Sequence, residues 1–298
     1  MNVLRLSVSS YRRSQRYLEG GPGHFFMYLL ARFRVVRSMV VWIYSLRNTT
    51  ALSTTGPTFL EDVDLSGAAR SISEDGFFSG LRLQPDAVEE LLTFSDLAPC
   101  FGDGRRDRPF LYADRANAEQ QYGETFKLGR YNHALLASPL LQALSRDAQL
   151  LAIAREYLQT EPVLIGVRMW WSFVGPADED EQMKSAQGFH YDIDGYRGLT
   201  FFFYLTDVGL SNGPHVYVRG THVKKAWKHV VSLYKGRSDD EIDQSYGKER
   251  QVVSCGPAGS GFAEDIFGFH KGLHPESGDR LIVQLRYGLR DYGTGRND

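Results

Sequence analysis

His190 and Asp192 stand two residues apart in Phe189-His-Tyr-Asp192, within a stretch whose composition predicts a strand. On a strand, positions i and i+2 project from the same face, so an imidazole and a carboxylate there can reach one ion. Alone the pair means little. A chain with eight histidines meets a chance His-x-Asp about as often as not, and a histidine capped by a nearby carboxylate is an ordinary arrangement. A further histidine comes much later, where Ile266-Phe-Gly-Phe-His270 reads as an apolar strand ending in an imidazole. A polar turn follows and leads into Asp279-Arg-Leu-Ile-Val283. Two imidazoles and one carboxylate make a facial triad that leaves three positions open on Fe(II). A 2-oxo acid can fill two of them through its keto and carboxylate oxygens, and dioxygen the third. The far carboxylate of such an acid needs a bidentate cation, which a planar guanidinium at Arg280 supplies better than an ammonium.

Other polar residues compete for these roles. His274, four residues past His270, could be the distal ligand, but it falls in the turn Leu273-His-Pro-Glu-Ser277, and His270 is preferred. Asp194 shares a strand face with Asp192 and could replace it. His215, His222 and His229 read as structural or surface histidines, and His24 and His133 carry no partner signal. Arg168, Trp170 and Trp171 lie on a predicted strand just before the triad, where Arg168 either touches cosubstrate or substrate or is an ion-paired strand residue. Cys255 precedes a Gly-Pro turn and has no neighbouring base to make it reactive.

The elements that must position these groups are mostly short strands. Val163–Val174, Gly198–Leu205, His215–Val218, Gln251–Ser254, Ile266–His270 and Arg280–Tyr287 are β-type runs separated by turn-formers such as Gly175-Pro176 and Asn212-Gly-Pro214. Many short strands in the C-terminal half predict a sandwich, jelly roll or barrel. In Gly198–Leu205, Thr200, Phe202 and Tyr204 alternate with Leu199, Phe201 and Phe203, and the sequence does not say which set faces inward. Upstream, the spacing predicts a short amphipathic helix from Pro85 to Asp96 and a longer one from Pro139 to Leu158. Two polar insertions, Ala177–Gln187 and Lys235–Arg250, read equally well as lids or as solvated connections. Lys224, Lys225 and Lys228 read as an exposed helix face.

Composition narrows the partners. With 298 residues and 42% apolar side chains, the chain can bury one sizeable core. We divide it into a basic, helical N-terminal extension, 1–58, and a catalytic domain, 59–298. A formal charge of −2 argues against a nucleic-acid partner. Two cysteines build neither a disulfide framework nor a Cys-rich zinc site, which favours a reducing, cytoplasmic setting. Residues 1–50 hold eight Arg, no Lys and one Glu, a local +7 within a chain whose total is −2. Arg32, Arg34 and Arg37 interrupt the apolar stretch from Phe25 to Leu46, so a transmembrane span is not expected, and a secretory signal fits badly. Three readings of this segment stay open: a helix packed on the catalytic domain, a basic amphipathic helix on an anionic membrane surface, and an organellar transit peptide.

Taken together, Phe189-His-Tyr-Asp192, Tyr204-Leu-Thr-Asp-Val208 running into Asn212-Gly-Pro-His-Val-Tyr-Val-Arg-Gly-Thr-His222, and His270-Lys-Gly272 with Arg280 ten residues after the histidine form one ordered pattern. That pattern, over roughly Val163 to Tyr287, resembles the phytanoyl-CoA dioxygenase-like 2-oxoglutarate oxygenases. The resemblance implies a mainly β fold, a double-stranded β-helix (jelly roll, cupin-like) with flanking α-helices. It implies Fe(II) on His190, Asp192 and His270, with 2-oxoglutarate on Arg280, and it brings Arg168 and Gly272 in as further residues at the cosubstrate. Dioxygen would be the oxidant and a small molecule the substrate, hydroxylated with release of succinate and CO2. The same scaffold could instead desaturate or epimerise its substrate, or serve as a non-catalytic binding protein. Related halogenases carry a small residue where Asp192 stands, which disfavours halogenation. Neither the substrate nor the oligomeric state is encoded legibly.

Overall fold

The computed structural model describes residues 21–46, 56–175, 188–232 and 234–293. Eleven strands lie in chain order among the described residues: β1 Phe77–Arg82, β2 Cys100–Gly102, β3 Pro109–Phe110, β4 Leu128–Arg130, β5 Val163–Ser172, β6 Gly198–Tyr204, β7 His215–Val218, β8 Gln251–Ser254, β9 Ser260–Asp265, β10 His270–Gly272 and β11 Arg280–Gly288. They form an eight-stranded antiparallel sheet in the order β1-β9-β6-β11-β5-β4-β2-β3 and a three-stranded sheet in the order β10-β7-β8. This is the double-stranded β-helix that the family resemblance implied, one of the sandwich, jelly-roll and barrel forms the strand pattern allowed, with helices covering the outer side.

The alternation along each central strand divides two environments. Leu199, Phe201 and Phe203 of β6, Leu281, Val283 and Leu285 of β11, and Val167, Met169 and Trp171 of β5 join the outer core. They share it with Leu150, Ile153, Ala154 and Leu158 of helix Ala148–Leu158. The other set turns inward: Phe202, Tyr204, Ile282 and Phe262 meet Tyr217 and Val208 from the small-sheet side. Every residue of β6 is buried, as a strand covered on both faces must be.

Several sequence expectations need correction. The helix anticipated from Pro139 to Leu158 is two helices, Pro139–Leu144 and Ala148–Leu158. Asp147 breaks it by accepting the backbone N–H groups of Gln149 and Leu150 as an N-cap. The strand expected over Ile266–His270 is displaced to β9 and β10. The Asp265 carboxylate takes the Phe267 N–H and the Asp265 carbonyl takes that of Gly268, which closes a turn at the middle of the apolar run. His190 and Asp192 lie not in a full strand but in an extended segment joined to the sheet by an isolated bridge between His190 and His270. Lys225 is no surface lysine: its Nζ donates to the Phe267 carbonyl and sits 3.3 Å from the Tyr191 ring centroid, whereas Lys224 and Lys228 are exposed. The insertion Lys235–Arg250 contains helix Asp239–Tyr246, and Ala177–Gln187 lies outside the described residues.

The N-terminal helices pack on this body. Met27, Tyr28 and Ala31 share a core cluster with Phe189, Tyr191 and Phe269, and Val41 of helix Arg34–Ser45 reaches the outer core. Arg37 donates to the His222 carbonyl at 2.7 Å and lies over the Phe267 ring.

Asp147 carries one testable consequence. Its carboxylate is fully buried and also accepts the Phe59 N–H at 2.6 Å, so truncation leaves three backbone donors unmet. Asp147→Ala is expected to lower the stability to urea by about 2–4 kcal/mol, and Asp147→Asn by less, because one acceptor oxygen survives.

Candidate active site

Between the two sheets opens a cavity of about 610 Å³, with walls formed by β4, β5, β6 and β11 on one side and β7 and β10 on the other. The inward set of each strand lines it: Arg168, Trp170 and Ser172 from β5, Phe202 from β6, and Arg280, Ile282 and Gln284 from β11. The alternation left undecided by the sequence is thus settled, with Phe202 inside and Phe201 and Phe203 outside. Trp171 also faces outward and stacks on Tyr112.

His190, Asp192 and His270 converge in this cavity, with one potential ligand atom from each lying within 4.8 Å of the others. The convergence begins in the backbone. His190 N–H donates to the His270 carbonyl at 2.9 Å and His270 N–H donates back at 2.8 Å, so the two residues are a hydrogen-bonded antiparallel pair. Their rings stand 4.4 Å apart. Asp192 is fixed by its own N–H to the Ile266 carbonyl. Nδ1 of His190 meets the Gly188 carbonyl and Nδ1 of His270 the Gly268 carbonyl, each at 3.0 Å. A carbonyl only accepts, so each Nδ1 carries the proton and each Nε2 keeps its lone pair for the cavity.

The electrostatics suit a cation. Burial, against the pull of Glu264, lowers His270 to about 4, so it is neutral at physiological pH and can donate a lone pair. Burial alone would raise Asp192, but Lys235 at 3.8 Å, the foremost of the opposing charges, helps to override it, and the carboxyl is held well below its usual range. Behind His270 lies a pair that the sequence did not flag, Glu264 and His215, with His215 Nε2 2.7 Å from Glu264 Oε2. Burial pushes Glu264 up to about 7 and His215 down to about 3, so both tend to neutrality and the contact is a neutral hydrogen bond.

The competing candidates fall elsewhere. Asp194 forms an ion pair with Arg286 rather than joining the triad. His274 reaches the cavity rim, with Nε2 2.9 Å from the Gly175 carbonyl. His222 contacts the Ser73 carbonyl, and His229 is held between Tyr246 and Glu241, the structural roles read from sequence. His133 lines the cavity.

Arg280 lies across the same cavity. It is buried, its Nη2 donates to Ser172 Oγ at 3.0 Å, and its Nε has no partner. Among the described residues no carboxylate pairs with it. Gly272 is beside it, where a Cβ would come to 3.7 Å of Arg280 Nη2. A buried guanidinium without a counter-ion is costly unless an anion arrives to meet it.

No protein-family model and no curated protein matches the sequence. Solved structures do match in fold. HygX from Streptomyces hygroscopicus with nickel and 2-oxoglutarate bound is 17% identical over 74% of this chain and 86% of that chain, with a TM-score of 0.51. The non-heme alpha ketoglutarate dependent epimerase SnoN from nogalamycin biosynthesis is 14% identical over 75% of this chain and 80% of that one, with a TM-score of 0.50. EctD from S. alaskensis in its apoform is 16% identical over 81% and 87%, also at 0.50. At these identities the likeness is one of fold.

The two neighbouring aspartates give opposite expectations. In calorimetric titrations with Co(II), Asp192→Ala should weaken binding by at least about a hundredfold, the upper range for loss of a mere supporting partner. Asp194→Ala should keep the affinity but lower the melting midpoint, since Arg286 loses its carboxylate. Equal loss of metal in both variants would contradict the assignment of Asp192 alone.

Proposed function

We propose that this protein is an Fe(II)- and 2-oxoglutarate-dependent dioxygenase that hydroxylates a small molecule. The observation that carries the reading is the convergence of two imidazoles and one carboxylate in a cavity whose opposite wall holds a buried arginine with no carboxylate partner among the described residues. The donor set fits the ion: two nitrogen ligands and one oxygen on one side of a metal leave three positions for a chelating 2-oxo acid and dioxygen. The neighbouring folds support it further, since HygX was solved with nickel and 2-oxoglutarate and SnoN is named as alpha ketoglutarate dependent.

His190, Asp192 and His270 would hold the iron, which when bound supplies the activation of dioxygen that couples decarboxylation of 2-oxoglutarate to attack on a C–H bond. The balance is substrate, dioxygen and 2-oxoglutarate giving hydroxylated substrate, succinate and CO2. The chain's own residues do the positioning. Nδ1–H donation to Gly188 and Gly268 keeps both rings turned toward the ion. Arg280 receives the far carboxylate of 2-oxoglutarate on its free Nε edge, while Ser172 holds its Nη2 and Gly272 leaves that part of the wall without a side chain. The apolar inner faces of Phe202 and Ile282 exclude water from the reacting carbon, so that oxidation falls on the substrate.

Anaerobic addition of Fe(II) and 2-oxoglutarate should give a weak visible charge-transfer band. Its absence from a folded, iron-loaded sample would overturn the reading. Arg280→Ala should retain the metal and weaken 2-oxoglutarate by about 2–4 kcal/mol, roughly thirtyfold to a thousandfold, because a charged hydrogen-bond pair is lost from a buried site. Mass analysis of the product against substrate plus one oxygen separates hydroxylation from desaturation or epimerisation on the same scaffold.

A further inference from the structure

We propose that the substrate is an organic anion, a carboxylate or a phosphate monoester, held by Arg168 with Arg130 at the end of the cavity remote from Arg280. The proposal rests on the oxygenase reading only in treating this cavity as the reaction chamber. Among the described residues the lining carries the cations Lys127, Arg130, Arg168, Lys235 and Arg280 but a single carboxylate, Asp192. Asp192 is committed to the triad with Lys235 beside it, and Arg280 to the cosubstrate, so no carboxylate of the lining is left for Arg130 and Arg168.

Register separates the two arginines. Ser172 pairs with Arg280, Trp170 with Ile282 and Arg168 with Gln284 along the β5–β11 ladder. Arg168 therefore sits four residues down the wall from Ser172, on the order of 13 Å at the rise of a strand. That backbone span exceeds the length of a five-carbon diacid, and neither arginine figures among the charges acting on the other, so the two mark separate ends of the cavity. No carboxylate of the described residues forms an ion pair with Arg168: the nearby Asp194 belongs to Arg286, and Asp192 faces Lys235 and the histidines. The closest charges to the guanidinium include two more of its own sign, Arg286 and Arg130. Arg130 enters from β4 directly opposite Trp170 in the ladder, two residues along β5 from Arg168, and all three line the cavity. The arrangement is a two-point subsite for anionic oxygens beside an apolar surface for the carbon skeleton. A neutral substrate would leave the half-buried Arg168 unmatched, and a cationic one would be repelled by both arginines.

The test uses the full chain loaded with Ni(II) and saturated with 2-oxoglutarate, so that nothing turns over and the Arg280 end is filled. Phenylacetate and benzyl phosphate, with benzyl alcohol and benzylamine as size-matched controls, are titrated by calorimetry. The two anions should bind and the controls should not, and Arg168→Gln should weaken the anions by at least about tenfold with 2-oxoglutarate affinity unchanged. Arg168→Lys should recover part of the loss. Binding of the controls as tight as that of the anions, absence of anion binding, or full retention in Arg168→Gln would each overturn the proposal. Failure of the oxygenase reading has a separate signature: 2-oxoglutarate does not bind the nickel-loaded protein, whatever the anions do.

A second inference rests on a different surface. We infer that the outer face of the N-terminal helices docks on an anionic lipid bilayer. Helix Arg34–Ser45 is pinned by Val41 and Arg37, yet Val35, Met39, Trp42, Ile43 and Leu46 form an exposed apolar stripe, with Val35 81% and Trp42 61% exposed. Trp227, 69% exposed, lines the same groove as Val35. Exposed Arg34 lines that groove, exposed Lys224 and Lys228 stand within three residues of Trp227 in sequence, and the first 50 residues carry a net +7, which complements anionic headgroups. No described helix is long and apolar enough to cross a membrane. The full chain should float with vesicles of phosphatidylcholine mixed with phosphatidylglycerol and not with phosphatidylcholine alone. Val35→Asp and Trp42→Asp, both at exposed positions, should abolish flotation without moving the melting midpoint. No flotation with either vesicle overturns the inference, as does a dimer in solution that Val35→Asp dissociates, which would assign the stripe to a second copy.

Discussion

The backbone pairing of His190 with His270 is the constraint on which the site depends. Two residues that are 80 positions apart in sequence exchange both of their backbone hydrogen bonds, so their side chains must emerge side by side on one face of the small-sheet layer. Everything else about the triad is local to one of the two partners. Asp192 follows two residues on from one histidine, and the carbonyls that set the ring tautomers lie two residues before each. The symmetry is physical: the same i−2 carbonyl contact orients both imidazoles, and the same pair of hydrogen bonds brings them together.

Around that pair the cavity holds ionisable groups where water is scarce, and their states follow from what surrounds each one. Burial lowers His270 and His215 and raises Glu264, while guanidinium groups remain charged because nothing in this range of pH removes the proton. Among the described residues the cavity lining holds several cations and one carboxylate, Asp192. Arg280 and Arg168 occupy inward positions of neighbouring strands, Arg280 paired with Ser172 and Arg168 four residues further along the same ladder.

Much of this was legible in the sequence, for identifiable reasons. Strands such as His215–Val218 and Gln251–Ser254 are bounded by turn-formers on both sides and coincide with the structure to the residue. The triad and Arg280 were legible because their spacing survives within one ordered pattern, and the structure brings them to one cavity. Strands β2, β3 and β4 are two or three residues long, too short for any periodicity to register. Glu264 was invisible because its meaning lies in a partner on the facing sheet, His215, 49 residues away. The turn at Asp265–Gly268 was missed because an apolar run hides an aspartate whose side chain competes for the backbone N–H groups. Lys235 stands in a polar insertion with no pattern of its own, yet its ammonium reaches the triad aspartate.

That ammonium has a consequence for the centre of the cavity. A carboxylate drawn into a protein wall ordinarily clings to its proton, and burial alone would push Asp192 that way. Lys235, 3.8 Å off, supplies the opposing charge, so the acid stays ionised across the ordinary range of pH. Lys235 stands two residues before Arg237, whose N–H bonds the Phe189 carbonyl next to His190, so the short stretch of backbone that carries the lysine is itself fastened beside the histidine. The anionic character of Asp192 is thereby built into the chain.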